Sequence, residues 1–208
     1  MLLLNVVVVI PLIAVMAYLI GNISSAYIIS KMLFGVDIRT QGSKNAGTTN
    51  ALRTFGFKAG LATFLGDYFK GTIAVLLAML IANKCHVDVR LSKYIAMLAV
   101  VAGHNWPIFL KFKGGKGVAT TYGAMLAISP FSTLTSMLFF IIIVLVTRYV
   151  SVGSICGVCL FPILMYMKRD YSGIWAGILL SISVIYKHRE NIKRLIAGKE
   201  RRFEFKKK

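Results

Sequence analysis

The chain has 208 residues, 57% of them hydrophobic and only 15% charged, with a mean hydropathy of +0.74. A soluble core of this size does not need so much apolar material, whereas runs of 18 or more apolar residues read as membrane spans. The net charge of +18 suggests nucleic acid at first, but the Lys and Arg stand at segment ends rather than on one soluble face, so the excess reads as topology and attraction to anionic lipid and anionic substrates.

The N-terminus, MLLLNVVVVIPLIAVMAYLI, lacks the basic n-region and A-x-A site of a signal peptide and is expected to persist as the first span. This apolar run extends from Leu2 to about Ile29, interrupted by Pro11 and by the polar patch Asn22-Ile23-Ser24-Ser25. A polar stretch from Lys31 to Lys58 follows, holding GSKNAGTTNALR. Leu61–Ala82 is the second predicted span. It carries Asp67 and Lys70 three residues apart, on one helix face, where a structural ion pair inside the bundle is expected. After a short loop, Lys84 to Lys93, the third span runs from Tyr94 to Leu110.

GHNWPIFLKFKGGKGVATTYG, Gly103 to Gly123, then sets a His, three Lys and a Gly-rich turn between apolar segments. Apolar sequence resumes from Val118 to Val146, broken by Ser129-Pro130. Pro removes a helix hydrogen bond and disfavours helix in the residue before it, so two helices are predicted, about Val118–Ile128 and Phe131–Thr147. The first would be only ~16 Å long at 1.5 Å per residue, too short for a full crossing of an ordinary bilayer. Val150–Met167 and Tyr171–Tyr186 complete the set, ahead of a basic tail. Cys85, Cys156 and Cys159 give no even disulfide framework, and the C-x-x-C lies in an apolar run with no second pair, as small core residues would.

The expected fold is all-α: a polytopic integral membrane bundle, one domain over residues 1–208. The positive-inside rule chooses between six and seven helices. No Lys or Arg precedes Lys31, which places the N-terminus outside. Seven helices put 19 of the 25 Lys and Arg on the inner side, including the ten from Lys187 onward. Six would export that tail. The C-terminus is therefore expected in the cytoplasm, and GSKNAGTTNALR, FKGGKG, the Arg148–Ser154 turn and HRENIKRLIAGKE all fall on the cytoplasmic face.

Gly114-Gly115-Lys116-Gly117 has little side-chain bulk, so its N–H groups can approach a ligand closely. Successive N–H groups there make an anion-binding concavity, and a helix from Val118 would add its positive end. A plain connector has the same composition, and no Walker A loop is present because Gly117 stands where Ser or Thr is needed. Ser43, Asn45, Thr48, Thr49 and Asn50 supply directional donors, and the guanidinium of Arg53 can hold two phosphate oxygens. The competing reading is an N-capping turn in which Thr48, Thr49 or Asn50 starts a helix through Arg53. Ser151 and Ser154 follow Arg148, where hydroxyls often bond local carbonyls. His188 and Asn191 would share one helix face, with His188 either a proton carrier or an interfacial residue. His104 is expected to be structural or peripheral.

The seven carboxylates form no pair near these motifs, which argues against magnesium-dependent phosphotransfer and two-carboxylate hydrolysis. No His/Cys cluster has zinc spacing. The His-x-x-x-x-Asp of acyl-CoA glycerolipid acyltransferases is missing, since Leu91, Phe109 and Lys193 stand five residues after the three His. A basic pocket without metal or cofactor, opening onto lipid, remains.

GSKNAGTTNALR, GHNWPIFLKFKGGKGVAT and HRENIKRLIAGKE closely resemble the three motifs of the bacterial membrane acyl-phosphate:glycerol-3-phosphate acyltransferases. The resemblance covers almost the whole chain, in order and spacing. Lys44 and Thr48 replace smaller residues of the family pattern, and Asn22 and Ser24 replace a usual Ser and Pro. The resemblance implies transfer of a fatty acyl group from acyl phosphate to the 1-hydroxyl of glycerol 3-phosphate, giving lysophosphatidic acid at the bacterial plasma membrane. It also implies a site of Ser43, Arg53, Lys116, Ser154, His188 and Asn191, with the GGKG backbone, Asn45 and Thr49 at phosphate. The base is either His188 or the acceptor's own phosphate. No covalent acyl-enzyme is needed, because acyl phosphate is already activated. The competing reading is a small membrane transporter or lipid-linked carrier of a phosphorylated solute, which would also carry intramembrane charges and Gly/Pro-broken helices.

Overall fold

The computed structural model describes residues Leu2–Phe203, and every regular element in that range is helical. In order these are α1 (Leu2–Asn22), α2 (Ser25–Phe34), α3 (Thr48–Phe55), α4 (Phe57–Lys84), α5 (Val89–Asn105), α6 (Val118–Ile128), α7 (Pro130–Thr147), α8 (Val150–Met167), α9 (Tyr171–Lys187) and α10 (Arg189–Ile196). Short 3-10 turns at Ile38–Thr40 and Ile108–Leu110 sit in the two polar stretches that precede Ile128. The helices fall into two compact units, the first ending at Ile128 and the second starting at Ser129.

Burial runs opposite to a soluble helix. On α4 the buried face holds Ala59, Gly60, Thr63, Asp67, Lys70, Gly71, Ala74 and Ala78, while Leu61, Leu65, Phe69, Ile73, Leu76 and Leu80 are exposed. Small and polar groups inside with large apolar groups outside is the pattern of a helix solvated by lipid. Among the described residues, four segments are long and apolar enough to cross a membrane: Val6–Phe34, Phe57–Lys84, Pro130–Thr147 and Val150–Met167. Val118–Ile128 and Tyr171–Lys187 are shorter apolar helices.

In the first unit α1 packs on α5, and α4 on α6, through glycines. A Cβ on Gly21 would meet the Val100 carbonyl, and one on Gly103 the Tyr18 carbonyl. Gly71 stands the same way against the Thr120 carbonyl and Gly123 against that of Tyr68. In a bilayer there is no hydrophobic drive between helices, so such close backbone approach supplies the packing. Gly103→Leu is expected to cost about 1–3 kcal/mol through overpacking, read as a lower Tm of the purified protein. An unchanged Tm would show that α1 and α5 do not need this contact.

In the second unit α7 packs on α8 and α8 on α9. A Cβ on Gly177 would lie 3.0 Å from Cβ of Pro162, and one on Gly153 would lie 2.9 Å from the Phe140 carbonyl oxygen.

Several boundaries differ from those the sequence predicts. The expected break at Ser129-Pro130 is present, but Pro130 itself opens α7, at the first position where its missing N–H costs nothing. Pro11 leaves α1 unbroken, and the break comes at Ile23-Ser24, where Ser24 caps α2. The third predicted span ends at Asn105 rather than Leu110, because Trp106 precedes Pro107 and leaves helical geometry. It also starts earlier, at Val89, where the Asp88 side chain accepts from the Leu91 N–H as an N-cap.

Candidate functional site

The site elements of the first unit are two polar loops that meet. GSKNAG leads into α3, and its organiser is Asn50, buried at 3% exposure. Asn50 Oδ1 accepts from the Ser43 N–H at 2.9 Å, and Nδ2 donates to the carbonyls of Gln41 and Asn45, both at 3.0 Å, and of Ile38 at 3.3 Å. One side chain thus fixes the loop that presents Ser43 and Asn45. Gly42 at φ +57° and Lys44 at φ +59° make its tight turn. The capping expectation is corrected here: α3 starts at Thr48, but Gly47 holds the cap position with no side-chain cap bond. Asn50 instead serves the loop. Thr49 is half-buried in the first turn, and Arg53 is exposed toward the end of α3.

The second loop runs from Trp106 to Gly117. Tyr18 donates to the Trp106 carbonyl at 2.8 Å, and Asn22 Oδ1 accepts from the Ile108 N–H at 2.6 Å, so the end of α1 anchors it. Arg39 braces the other side: Nη1 donates to the Leu110 carbonyl at 2.9 Å while Nε and Nη2 grip Asp37. The hydrogen bonds from Arg39 hold the Asp37 carboxyl below the usual carboxylate range.

Gly114 and Gly115 pack tightly. A Cβ on Gly114 would meet the His104 carbonyl, and one on Gly115 would meet His104 Nε2 and the Ala46 carbonyl. The last contact brings GSKNAG and GGKG side by side. Gly117 takes φ +79°, which favours glycine, and α6 begins at the next residue. Lys116 lies half-buried between these glycines. The arrangement combines an N-terminal helix end, close backbone and a cation, and can cradle a phosphate.

Beneath the turn, Asp67 and Lys70 form the expected ion pair, at 2.9 Å, with both side chains nearly inaccessible. His104 joins them, with Nδ1 2.9 Å from Lys70 Nζ. Of the two places expected for it, structural or peripheral, the geometry fits the structural one, since it lies between the ion pair and GGKG.

The second unit holds the other candidates. His188 caps the end of α9 and Asn191 lies in the first turn of α10, so the two are neighbours across a helix junction rather than on one continuous helix face. Both are buried, His188 at 3% exposure. His188 Nδ1 stands 2.8 Å from the Val184 carbonyl. A carbonyl accepts only, so Nδ1 carries the proton and Nε2 is the acceptor of the neutral ring. Ser154 donates to the Val150 carbonyl at 2.8 Å, the local bond common for a helix hydroxyl.

Glu200, which the sequence does not single out, ties this region together. Its Oε1 accepts from Asn191 Nδ2 at 2.6 Å and from Ser151 at 3.0 Å, and its Oε2 from Arg194 Nε at 2.8 Å. Burial pushes this carboxyl up, but the bonds from Asn191, Arg194 and Ser151 prevail and hold it below its ordinary 4.5. A lowered folded-state pKa contributes stability that is present above the unfolded value and lost as pH falls through the folded one. Glu200→Gln is therefore expected to lower Tm at pH 7 and to remove part of the acid-side loss below about 4.5. An acid-side Tm profile identical to wild type would contradict this role.

Residues 11–198 match the family model described as glycerol-3-phosphate acyltransferase. The glycerol-3-phosphate acyltransferase of Clostridioides difficile is 54% identical over 94% of this chain and 96% of its own length. That of Finegoldia magna is 43% identical over 91% and 93%. A crystal structure of PlsY (YgiH), an integral membrane glycerol 3-phosphate acyltransferase in its glycerol 3-phosphate form, superposes with a TM-score of 0.86 at 37% identity, over 94% of this chain and 96% of that one. The lysophosphatidic acid form gives a TM-score of 0.83 at the same identity.

Proposed function

The chain belongs to the glycerol-3-phosphate acyltransferase family, as an all-helical integral membrane protein, and we propose that it transfers a fatty acyl group from acyl phosphate to the 1-hydroxyl of glycerol 3-phosphate. The products are 1-acyl-glycerol 3-phosphate and inorganic phosphate. The observation that carries this reading is the joined pair of loops, in which GGKG, Lys116 and the Asn50-fixed Ser43 loop offer dense phosphate donors. Both proposed substrates carry phosphate. PlsY, the relative of solved structure, has forms with glycerol 3-phosphate and with lysophosphatidic acid, which supports the acceptor and the product.

The chemistry asks for positioning and charge offset. Arg53 and Lys116 counter the substrate phosphates; the N–H groups of Gly114 and Gly117, with Asn45 and Thr49, orient them, and Gly115, whose own N–H donates to the His104 carbonyl, lets the turn's backbone come close. The 1-hydroxyl oxygen attacks the acyl carbonyl carbon. A new C–O bond forms, the bond to the phosphate oxygen breaks, and phosphate leaves with the electron pair. His188 takes the hydroxyl proton at Nε2, a role supported by its Nδ1 bond to the Val184 carbonyl. Ser43, Ser154 and Asn191 hold the phosphates and the developing oxyanion. No acyl-enzyme forms.

The chain works as one domain, with α1 and α2 as the first crossing and α4 to α9 as the other six. Its N-terminus is outside and its motifs face the cytoplasm across the bacterial plasma membrane, as the distribution of Lys and Arg favours.

Phosphate release from palmitoyl phosphate, measured with and without glycerol 3-phosphate, tests the reaction. Release that requires the acceptor, one for one with acylated product, supports it. Release without acceptor would make the protein a hydrolase, and no release at all would favour a carrier of phosphorylated solute.

A further inference from the structure

Lys70 is 6% exposed and has three acceptors for its three ammonium hydrogens. These are Asp67 Oδ1 at 2.9 Å, the Ile23 carbonyl at 2.6 Å and His104 Nδ1 at 2.9 Å. The Ile23 carbonyl is available because α1 has ended at Asn22 and α2 has not begun. The polar interruption in the first apolar run thus completes the coordination of a cation on α4. Asp67 also accepts from Ser25 Oγ at 3.0 Å, from the start of α2. A lone buried ion pair adds little net stability over apolar residues of the same volume, and the best-attested use of such a pair is to specify one arrangement.

What it specifies is the ring of His104. An ammonium only donates, so Nδ1 accepts, and the neutral imidazole carries its proton on Nε2. That edge faces the turn, since Nε2 stands where a Gly115 Cβ would be. The backbone of the same residue holds the turn as well, because the His104 carbonyl accepts from the Gly115 N–H at 3.1 Å. The path from the buried cation to the Gly-rich turn is therefore continuous: Lys70 to Nδ1, across the ring to Nε2, and onto Gly115.

We propose that Lys70 is a positioning residue for the phosphate-binding turn, acting through the fixed ring of His104 to hold Gly115 at the spacing a phosphate needs. The proposal rests on the reading of GGKG as a substrate-phosphate turn, and takes glycerol 3-phosphate as the substrate it holds. Lys70 itself does not touch substrate. Its loss shows in affinity for the acceptor rather than in use of the donor.

The test uses the full chain in detergent or lipid, with separate KM values for glycerol 3-phosphate and palmitoyl phosphate. Lys70→Met leaves Asp67 buried and uncompensated, so a paired Asp67→Asn/Lys70→Met variant and His104→Leu accompany it. Each folded variant is expected to raise KM for glycerol 3-phosphate roughly 10- to 100-fold, the size of effect a misplaced binding group has, with KM for palmitoyl phosphate near wild type. A paired Asp67→Asn/Lys70→Gln variant, neutral but still able to donate toward Nδ1, is expected to recover part of the acceptor affinity. A fall in Tm with an unchanged glycerol 3-phosphate KM in both paired variants would overturn the proposal and leave the cluster purely structural. Wild-type turnover that does not respond to glycerol 3-phosphate would instead overturn the reading of the turn, and that arm distinguishes the two failures.

Discussion

His188→Gln is expected to lower kcat roughly 10²- to 10⁴-fold, the contribution general acid–base catalysis usually makes. Gln keeps the size and polarity of the site but cannot accept a proton at neutral pH. The ring is arranged to receive one: it is buried, its Nδ1 is bound to the Val184 carbonyl at 2.8 Å, and Nε2 is left as the acceptor nitrogen. Because the change removes a transition-state interaction, KM for both substrates should stay within about threefold of wild type. Steady-state kinetics with each substrate varied in turn measures this. A loss of only a few fold would assign the proton to the acceptor's own phosphate, and His188 would then be an interfacial residue at a helix junction.

Lys116→Ala and Arg53→Ala are expected to act on binding. A hydrogen bond to a charged group contributes about 1.5–3 kcal/mol, so each loss should raise KM for glycerol 3-phosphate roughly 10- to 150-fold. The larger effect belongs to Lys116, which is half-buried among glycines, whereas Arg53 is exposed and screened by solvent. Lys116→Arg is not expected to keep full function, since a rigid planar fork does not reproduce a compact ammonium on a flexible stem. A KM unchanged in both Ala variants would remove phosphate binding from these loops.

Much of this molecule is legible in its residues, and the exceptions have physical causes. The Pro130 break, the span of α8 and the Asp67–Lys70 pair follow from rules acting within one or two helical turns. The place of His104 does not, because its neighbours Lys70 and Asp67 lie 34 and 37 residues back on another helix, and no local pattern announces a neutral ring beside an ion pair. In sequence Glu200 is only a carboxylate without a partner carboxylate. Its role arises when the chain after α10 turns back on Ser151, a contact 49 residues long in sequence. Asn50 reads in sequence as a donor for phosphate or a helix cap, yet four of its bonds go to the backbone of the segment that precedes it. A signal for this lies in the density of small and polar residues around it, since a loop with no regular backbone pairing needs a side chain to satisfy it. The end of α5 is also legible: the rule for the residue before Pro, applied at Pro130, applies equally at Pro107.

Synthesis of lysophosphatidic acid from an acyl phosphate is the step on which every assignment above depends. Purified protein in lipid, given glycerol 3-phosphate with either palmitoyl phosphate or palmitoyl-CoA, reports on it through the amount of lysophosphatidic acid formed. The expected result is product from palmitoyl phosphate, none from palmitoyl-CoA, and a strong loss in Lys116→Ala. Product from palmitoyl-CoA at an equal rate, or none from either donor, would contradict it.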